Sequence, residues 1–166
     1  LHGDASEPLW DGLLAWLAHE GYVVDLENLP PSLHGDTAPN GQVRINETLS
    51  RLAQVATLIH EGPGHVGNHH IEDIENYYGH RGRFEVEAES TAYIVGTALG
   101  LDLGTTSFEY IAGWARANTD LLIETGDKVC KTADRVLDFL MPQVGIEQEA
   151  EQEIDEDGIG VAISAE

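Results

Sequence analysis

The apolar positions in the first part of the chain follow a helical pattern and then two strand patterns. Residues 9–17 carry an apolar stripe with helical spacing, and Gly21 is placed to end that helix. Residues 22–26 predict a strand, and residues 42–46 alternate as a second strand after the turn signal at residues 39–41. These patterns predict one helix followed by a small antiparallel sheet.

The middle of the chain predicts two helices separated by a loop. A broad apolar surface along residues 49–59 indicates a buried central helix, with Asn46 as its N-terminal cap. Residues 70–82 are polar, and we expect a loop whose histidines are exposed to solvent. Helical spacing returns over residues 84–99, and Gly100 is placed to end that helix.

The last part of the chain changes from helical spacing to a run of acidic residues. Two further core helices are predicted at residues 107–114 and 121–140. Between residues 147 and 157, seven of eleven residues are acidic and none is basic, which is typical of a solvated segment. We therefore expect one domain over residues 1–146, followed by an acidic tail or linker over residues 147–166.

Charge and cysteine usage limit the classes of partner and the compartment. The chain has 166 residues and a net charge of −22, which argues against direct binding of nucleic acid by this segment. A single cysteine, Cys130, permits no intramolecular disulfide and fits a reducing interior. Because no apolar run approaches the roughly 18 residues of a spanning helix, we expect a soluble, cytoplasmic protein without membrane contact. A start on Leu1 favours a fragment of a longer protein, with an additional domain missing from this chain.

Residues 57–70 combine an apolar run with a cluster of side chains that can bind a metal. His60 and Glu61 followed by His65 are similar to the helical H-E-x-x-H signature, in which two histidines bind zinc and the Glu is a general base. The two histidines are five positions apart here. On a regular α-helix five steps of about 100° place them roughly 140° apart, so both cannot face one metal ion.

Three interpretations of this spacing remain open. Pro63, flanked by glycines, distorts the helix, and a π-bulge there would let His60, Glu61 and His65 take their usual roles. Alternatively, only the second segment is helical, so that Glu61, His65 and His69 share a face and His60 is not involved. In the third interpretation the site is degenerate and binds no metal.

The helical phase of residues 84–99 places their three glutamates on two different faces of the predicted helix. Glu87 shares its face with apolar positions and points inward, whereas Glu85 and Glu89 lie together on another face. Because a buried carboxylate needs a partner, a metal ion is the expected partner of Glu87. An ion pair with Arg81 or Arg83 is the alternative.

Three sequence blocks in this order resemble one family of enzymes. They are the His-Glu…His motif, residues 85–93 (Glu-Val-Glu-Ala-Glu-Ser-Thr-Ala-Tyr) and residues 107–114 (Ser-Phe-Glu-Tyr-Ile-Ala-Gly-Trp). Together they resemble the ImmA/IrrE-like zinc metallopeptidases of gluzincin type, and most closely the actinobacterial and plasmid-borne members related to the protease domain of ArdC-type antirestriction proteins. The resemblance covers roughly residues 9 to 140.

The resemblance implies a fold, a cofactor and a reaction. The implied fold is α+β, with a small antiparallel sheet packed on a mainly helical, zincin-like domain that has a central metal-binding helix. His60, His65 and Glu87 would bind Zn2+, and Glu61 would be the catalytic base in hydrolysis of a peptide bond in a protein substrate. Several family members act on regulators such as repressors of phages or mobile elements. The extra residue between the histidines favours the alternative of a catalytically inactive, peptidase-like interaction or sensing domain.

Overall fold

The computed structural model describes residues 7–72, 74–102 and 119–145. It is of the α+β class, as expected, with a three-stranded sheet and mainly helical surroundings. The helix predicted at residues 107–114 and the acidic tail at residues 147–166 lie outside the described residues. In chain order the elements are α1 (Glu7–His19), β1 (Val23–Glu27), β2 (Gly35–Ala38), β3 (Gln42–Asn46), α2 (Arg51–Ile59), a π-helix (His60–Val66), α3 (Ile74–Ala98) and α4 (Thr119–Leu140).

The sheet is mixed, which corrects the prediction of an antiparallel sheet. The strand order is β1-β3-β2, and β1 runs parallel to β3 with Val23 opposite Gln42. Strand β2 pairs with β3 in antiparallel orientation through a tight turn in which Gly41 has a φ of 82°. The sequence of β2, Gly-Asp-Thr-Ala, lacks apolar alternation, so the pattern gave no signal for this strand.

One hydrophobic core joins the helices to the inner side of β3. Trp16 and Leu17 of α1, Ile45 of β3, Leu58 of α2 and Val136 of α4 are among its most buried members. Helix α2 is therefore buried, as its broad apolar surface predicted, and it leads directly into the π-helix. Because Leu58 and Ile59 at the end of α2 lie in this core, the position of the first residue of the π-helix is fixed.

The N-terminal cap of α2 is Ser50 rather than Asn46. The Ser50 hydroxyl accepts a hydrogen bond from the backbone N–H of Ala53 at 3.3 Å. Asn46 is buried and holds the preceding loop, because its amide donates to the Leu33 carbonyl at 2.9 Å and its oxygen accepts from the backbone N–H of Thr48. The predicted cap was wrong because the Asn46 side chain bonds to carbonyl groups of the preceding loop instead.

Helix α3 begins at Ile74, so the loop predicted over residues 70–82 is wrong for most of its length. The helix bends at His80, where φ is −126° and ψ is 20°, and it is followed by Gly100 with a φ of 79°, as predicted. Its polar first part has no apolar stripe and so carries no helical signal in the sequence. Within the described residues, every helix is too short or too polar to span a bilayer.

Candidate metal centre

The π-helix resolves the irregular spacing of the two histidines. The backbone N–H of Gly67 donates to the carbonyl of Gly62 at 3.0 Å, five residues back, and Pro63 lies inside this wider turn. Residues five apart are neighbours on a π-helix, so His60 and His65 come to the same side of the segment. Their ring centroids are 4.9 Å apart, with planes at 83°. The predicted π-bulge is therefore present, and it brings the two histidine rings together.

Glycine lets the π-helix lie directly against α3. A Cβ atom on Gly64 would stand 2.9 Å from the carbonyl oxygen of Ala88 and 3.1 Å from its Cα. Asn68 stabilises the contact between the π-helix and α3, because its amide donates to the Gly64 carbonyl and to the Thr91 hydroxyl, both at 2.8 Å. This close approach brings Glu85, one turn before Ala88, next to the histidines.

Three potential ligand atoms converge at this contact. Glu85 Oε2 lies 3.6 Å from His60 Nε2 and 3.8 Å from His65 Nε2, and one ligand atom from each residue lies within 4.8 Å of the others. Two ligand atoms about 2.0 to 2.1 Å from one zinc ion at a tetrahedral angle stand roughly 3.4 Å apart. The donor set and its spacing therefore fit a metal ion, and two histidines with one glutamate leave a fourth position open.

The carboxylate of this group is Glu85, which corrects the expectation that Glu87 is the third ligand. Glu87 points inward as predicted, and its side chain is 0% exposed. Its carboxylate accepts hydrogen bonds from Arg83 Nε at 2.7 Å, Lys128 Nζ at 2.6 Å and His70 Nε2 at 2.8 Å. The alternative of an ion pair with Arg83 therefore holds, and Lys128 from α4 is a second cation that the local pattern could not reveal.

His69, the possible alternative ligand, lies outside the group. It is exposed, adopts a φ of 60°, and its Nδ1 is 2.7 Å from Glu72 Oε1. The positive φ turns its side chain away from a helical face shared with Glu61 and His65. The interpretation that uses His69 and leaves out His60 is therefore not the arrangement of the structure.

Acidic side chains surround His60. Its Nδ1 is 3.1 Å from Glu89 Oε2, while its Nε2 faces Glu85. Burial lowers the pKa of His60, but the hydrogen bonds to Glu85 and Glu89 and the charges of Glu61 and Glu89 outweigh burial and raise that pKa to about 10. Without a metal ion His60 is thus a cation at neutral pH, and a bound metal would take over the role of its proton.

His65 lies in a different environment, in which its ring is neutral. Its Nδ1 is 3.1 Å from His70 Nδ1, and the His70 ring stacks on Phe84 with centroids 4.4 Å apart. Burial lowers the pKa of both histidines, and the charge of His60 lowers that of His65 further. The prediction that His70 is exposed was wrong, since it is 2% exposed; its polar sequence neighbours concealed its burial.

Glu61 and Tyr77 complete the surroundings of the three ligand atoms. The Thr37 hydroxyl donates to Glu61 Oε2 at 2.7 Å, and burial raises the pKa of Glu61. The Tyr77 hydroxyl donates to Glu85 Oε1 at 2.9 Å; burial and then Glu85 raise the pKa of Tyr77 to about 12, so it remains a donor. Neither Thr37 nor Tyr77 had a signal in the sequence. Glu85 shares a helix face with Glu89, as the helical phase predicted, and both contact His60.

Comparisons of the chain with protein-family models, with curated proteins and with solved structures give no significant match. The resemblance to ImmA/IrrE-like metallopeptidases therefore stays a prediction from three short sequence blocks. The support for a function lies in the geometry and chemistry of the site itself.

Proposed function

We propose that this chain is a zinc-dependent metallopeptidase that hydrolyses a peptide bond in a protein substrate. His60, His65 and Glu85 bind the metal, and Glu61 is the general base. The observation that carries the proposal is the convergence of two imidazole nitrogens and one carboxylate oxygen beside a buried glutamate with a raised pKa. Such a combination of perturbed groups in one place is typical of catalytic sites.

The donor set favours zinc among the common metal ions. Imidazole nitrogens suit zinc better than magnesium or calcium, which prefer oxygen ligands. When bound, the ion supplies a Lewis acid that lowers the pKa of a water molecule toward neutrality. The Tyr77 hydroxyl bonds to Oε1 of Glu85, and the Glu89 carboxylate bonds to Nδ1 of His60. Two of the three ligands are therefore oriented through the atom that does not face the metal position.

Glu61 is suited to accept and return a proton. Thr37 holds its Oε2, which fixes the plane of the carboxylate. Its raised pKa lies nearer to the working range of a general base than that of an exposed glutamate. The charges of His60 and Glu85 both act on Glu61, so it lies close enough to respond to events at the ligand atoms. We assign it the removal of a proton from the attacking water and its delivery to the leaving amine.

The neighbouring sheet edge supports a peptide as the substrate. Within the described strands β2 is an edge strand, and it contacts the π-helix through Thr37 and Glu61. An extended peptide can add to such an edge through main-chain hydrogen bonds, which would place its carbonyl groups beside Glu61. The family resemblance favours a repressor or another regulator of a mobile element as the natural protein substrate.

The non-catalytic alternative rested on the extra residue between His60 and His65. The π-helix accommodates that residue and brings both rings to Glu85, so the spacing no longer argues against a working site.

Cleavage of unfolded protein substrates tests the proposal. We would incubate the protein, loaded with one equivalent of Zn2+, with denatured casein and a proteome-derived peptide library, and identify new termini by mass spectrometry. Glu61→Gln should bind zinc as tightly as the wild type and produce no new termini, while the exposed-site control Glu47→Gln should cleave normally. Tight zinc binding without any cleavage that depends on Glu61 would overturn the peptidase assignment.

A further inference from the structure

Behind His65 lies a buried chain of hydrogen bonds that the proposed reaction does not use. Glu87 Oε2 is 2.8 Å from His70 Nε2, and His70 Nδ1 is 3.1 Å from His65 Nδ1. The side chains of Glu87, His70 and His65 are 0%, 1% and 4% exposed. The chain ends at His65 Nε2, which faces Glu85 Oε2 at 3.8 Å.

The donors and acceptors of this chain can be assigned from its anchored end. Glu87 accepts hydrogen bonds from Arg83 and Lys128 and is therefore a carboxylate, which can only accept from His70 Nε2–H. A neutral His70 then has a lone pair on Nδ1. The contact between the two Nδ1 atoms needs one proton, so His65 supplies it, and His65 Nε2 keeps its lone pair.

Charge balance keeps His70 neutral. Arg83 and Lys128 already face the carboxylate of Glu87, and a charge on the buried His70 ring would lose its hydration and be repelled by Lys128. The ring also stacks flat on Phe84, with an angle of 13° between the planes. A charged His70 would donate to His65 Nδ1 and force the His65 proton onto Nε2, where it would block metal binding.

We propose that Glu87 and His70 are positioning residues that hold His65 as its Nδ1–H tautomer and aim the Nε2 lone pair at the metal position. This inference rests on the proposed metal site, but the tautomer is a property of the metal-free chain. The two histidine ligands are therefore oriented in different ways. Glu89 bonds to His60 directly, whereas Glu87 acts on His65 through the neutral imidazole of His70.

Nitrogen-15 NMR of the histidine side chains tests this assignment in the metal-free protein, with zinc affinity measured in parallel by competition with a chromophoric chelator. His70→Phe keeps a ring to stack on Phe84 and removes the acceptor. His70→Asn places an amide oxygen where Nδ1 was and restores the acceptor. His69→Asn is the matched control, because His69 is an exposed histidine one residue away and Asn tolerates its positive φ.

In the wild type we expect the His65 proton on Nδ1. His70→Phe should move that proton to Nε2 and lower zinc affinity about 10- to 100-fold, the usual cost of losing a group that orients a ligand. His70→Asn should return the proton to Nδ1 and recover most of the affinity, and His69→Asn should change neither quantity.

Two results would overturn the assignment: a wild-type His65 that carries its proton on Nε2, or unchanged zinc affinity in a folded His70→Phe. The wild-type spectrum alone decides the tautomer if that variant does not fold. If the wild type binds no zinc but shows the Nδ1 proton, and His70→Phe moves it, the metal proposal fails while the positioning chain stands.

Discussion

Replacing Gly64 with alanine tests how closely the π-helix must lie against α3. The added Cβ would stand 2.9 Å from the carbonyl oxygen of Ala88, 3.1 Å from its Cα and 3.1 Å from its Cβ. Two of these atoms belong to the backbone of a long helix and cannot rotate away, so the two helices must separate. Because Glu85 lies on α3 and both histidines on the π-helix, that separation also spreads the three ligand atoms.

The expected loss of stability follows from two opposing terms. Forcing an extra methyl group into a packed contact costs about 1 to 3 kcal/mol. Replacing glycine with alanine at a helix-compatible position returns roughly 0.4 to 1 kcal/mol through the unfolded state. At the midpoints of these two ranges the net loss is about 1 kcal/mol in the free energy of unfolding, which is measurable against the roughly 5 to 15 kcal/mol of a typical domain.

Urea unfolding of Gly64→Ala, with and without Zn2+, measures this loss. Gly82→Ala is the matched control, because it is also a helical glycine and its added Cβ would meet nothing within 4 Å. We expect the control to be at least as stable as the wild type, and Gly64→Ala to be less stable and to bind zinc more weakly. A Gly64→Ala protein with wild-type stability and zinc affinity would refute the close packing.

Three further predictions concern the charged groups of the site. Glu89→Gln, which changes a residue that orients His60, should lower zinc affinity about 10- to 100-fold in a chelator competition assay. Glu85→Gln removes a ligand and should lower the affinity further; equal losses would contradict the ligand assignment. Because the pKa of His60 is raised to about 10, zinc binding near pH 7 should release about one proton, which calorimetry detects as a binding enthalpy that depends on the buffer. Zinc affinity should also rise with pH up to that pKa. Binding without proton release would contradict a protonated His60 in the metal-free protein. Burial raises the pKa of Glu87, but hydrogen bonds from His70, Lys128 and Arg83 outweigh burial and lower that pKa from 4.5 to about 2. Glu87 therefore contributes on the order of 3 kcal/mol to the free energy of unfolding. This contribution is complete above pH 4.5 and is lost as the pH falls toward 2. Urea unfolding of metal-free Glu87→Gln should show a flatter pH dependence in that window; an unchanged slope would remove Glu87 as its source.

The π-helix could be predicted from the sequence because its cause is local. Pro63 cannot continue an α-helix, and the five-residue step from His60 to His65 suggests which distortion to expect. The inward phase of Glu87 was also predictable, since helical periodicity alone determines it. The partner of Glu87 was not, because Lys128 is 41 residues away and reaches it only through the packing of α4 against α3.

Long-range contacts also account for what the sequence did not predict in the sheet and the site. Strand β1 runs parallel to β3 because β2, between them in sequence, reverses the chain direction and pairs with the other side of β3; β2 has no apolar alternation to signal it. Glu85 approaches the histidines because Gly64 admits the backbone of α3. Such a close approach has no periodic pattern in a single sequence.

Anomalous diffraction from crystals grown with Zn2+, measured on both sides of the zinc absorption edge, tests whether His60, His65 and Glu85 bind one zinc ion. We expect one strong peak between His60 Nε2, His65 Nε2 and Glu85 Oε2, with each ligand atom about 2.0 to 2.2 Å from it. A zinc peak bound by Glu87 or His69 instead, or zinc-soaked crystals without a peak at the three ligand atoms, would contradict it.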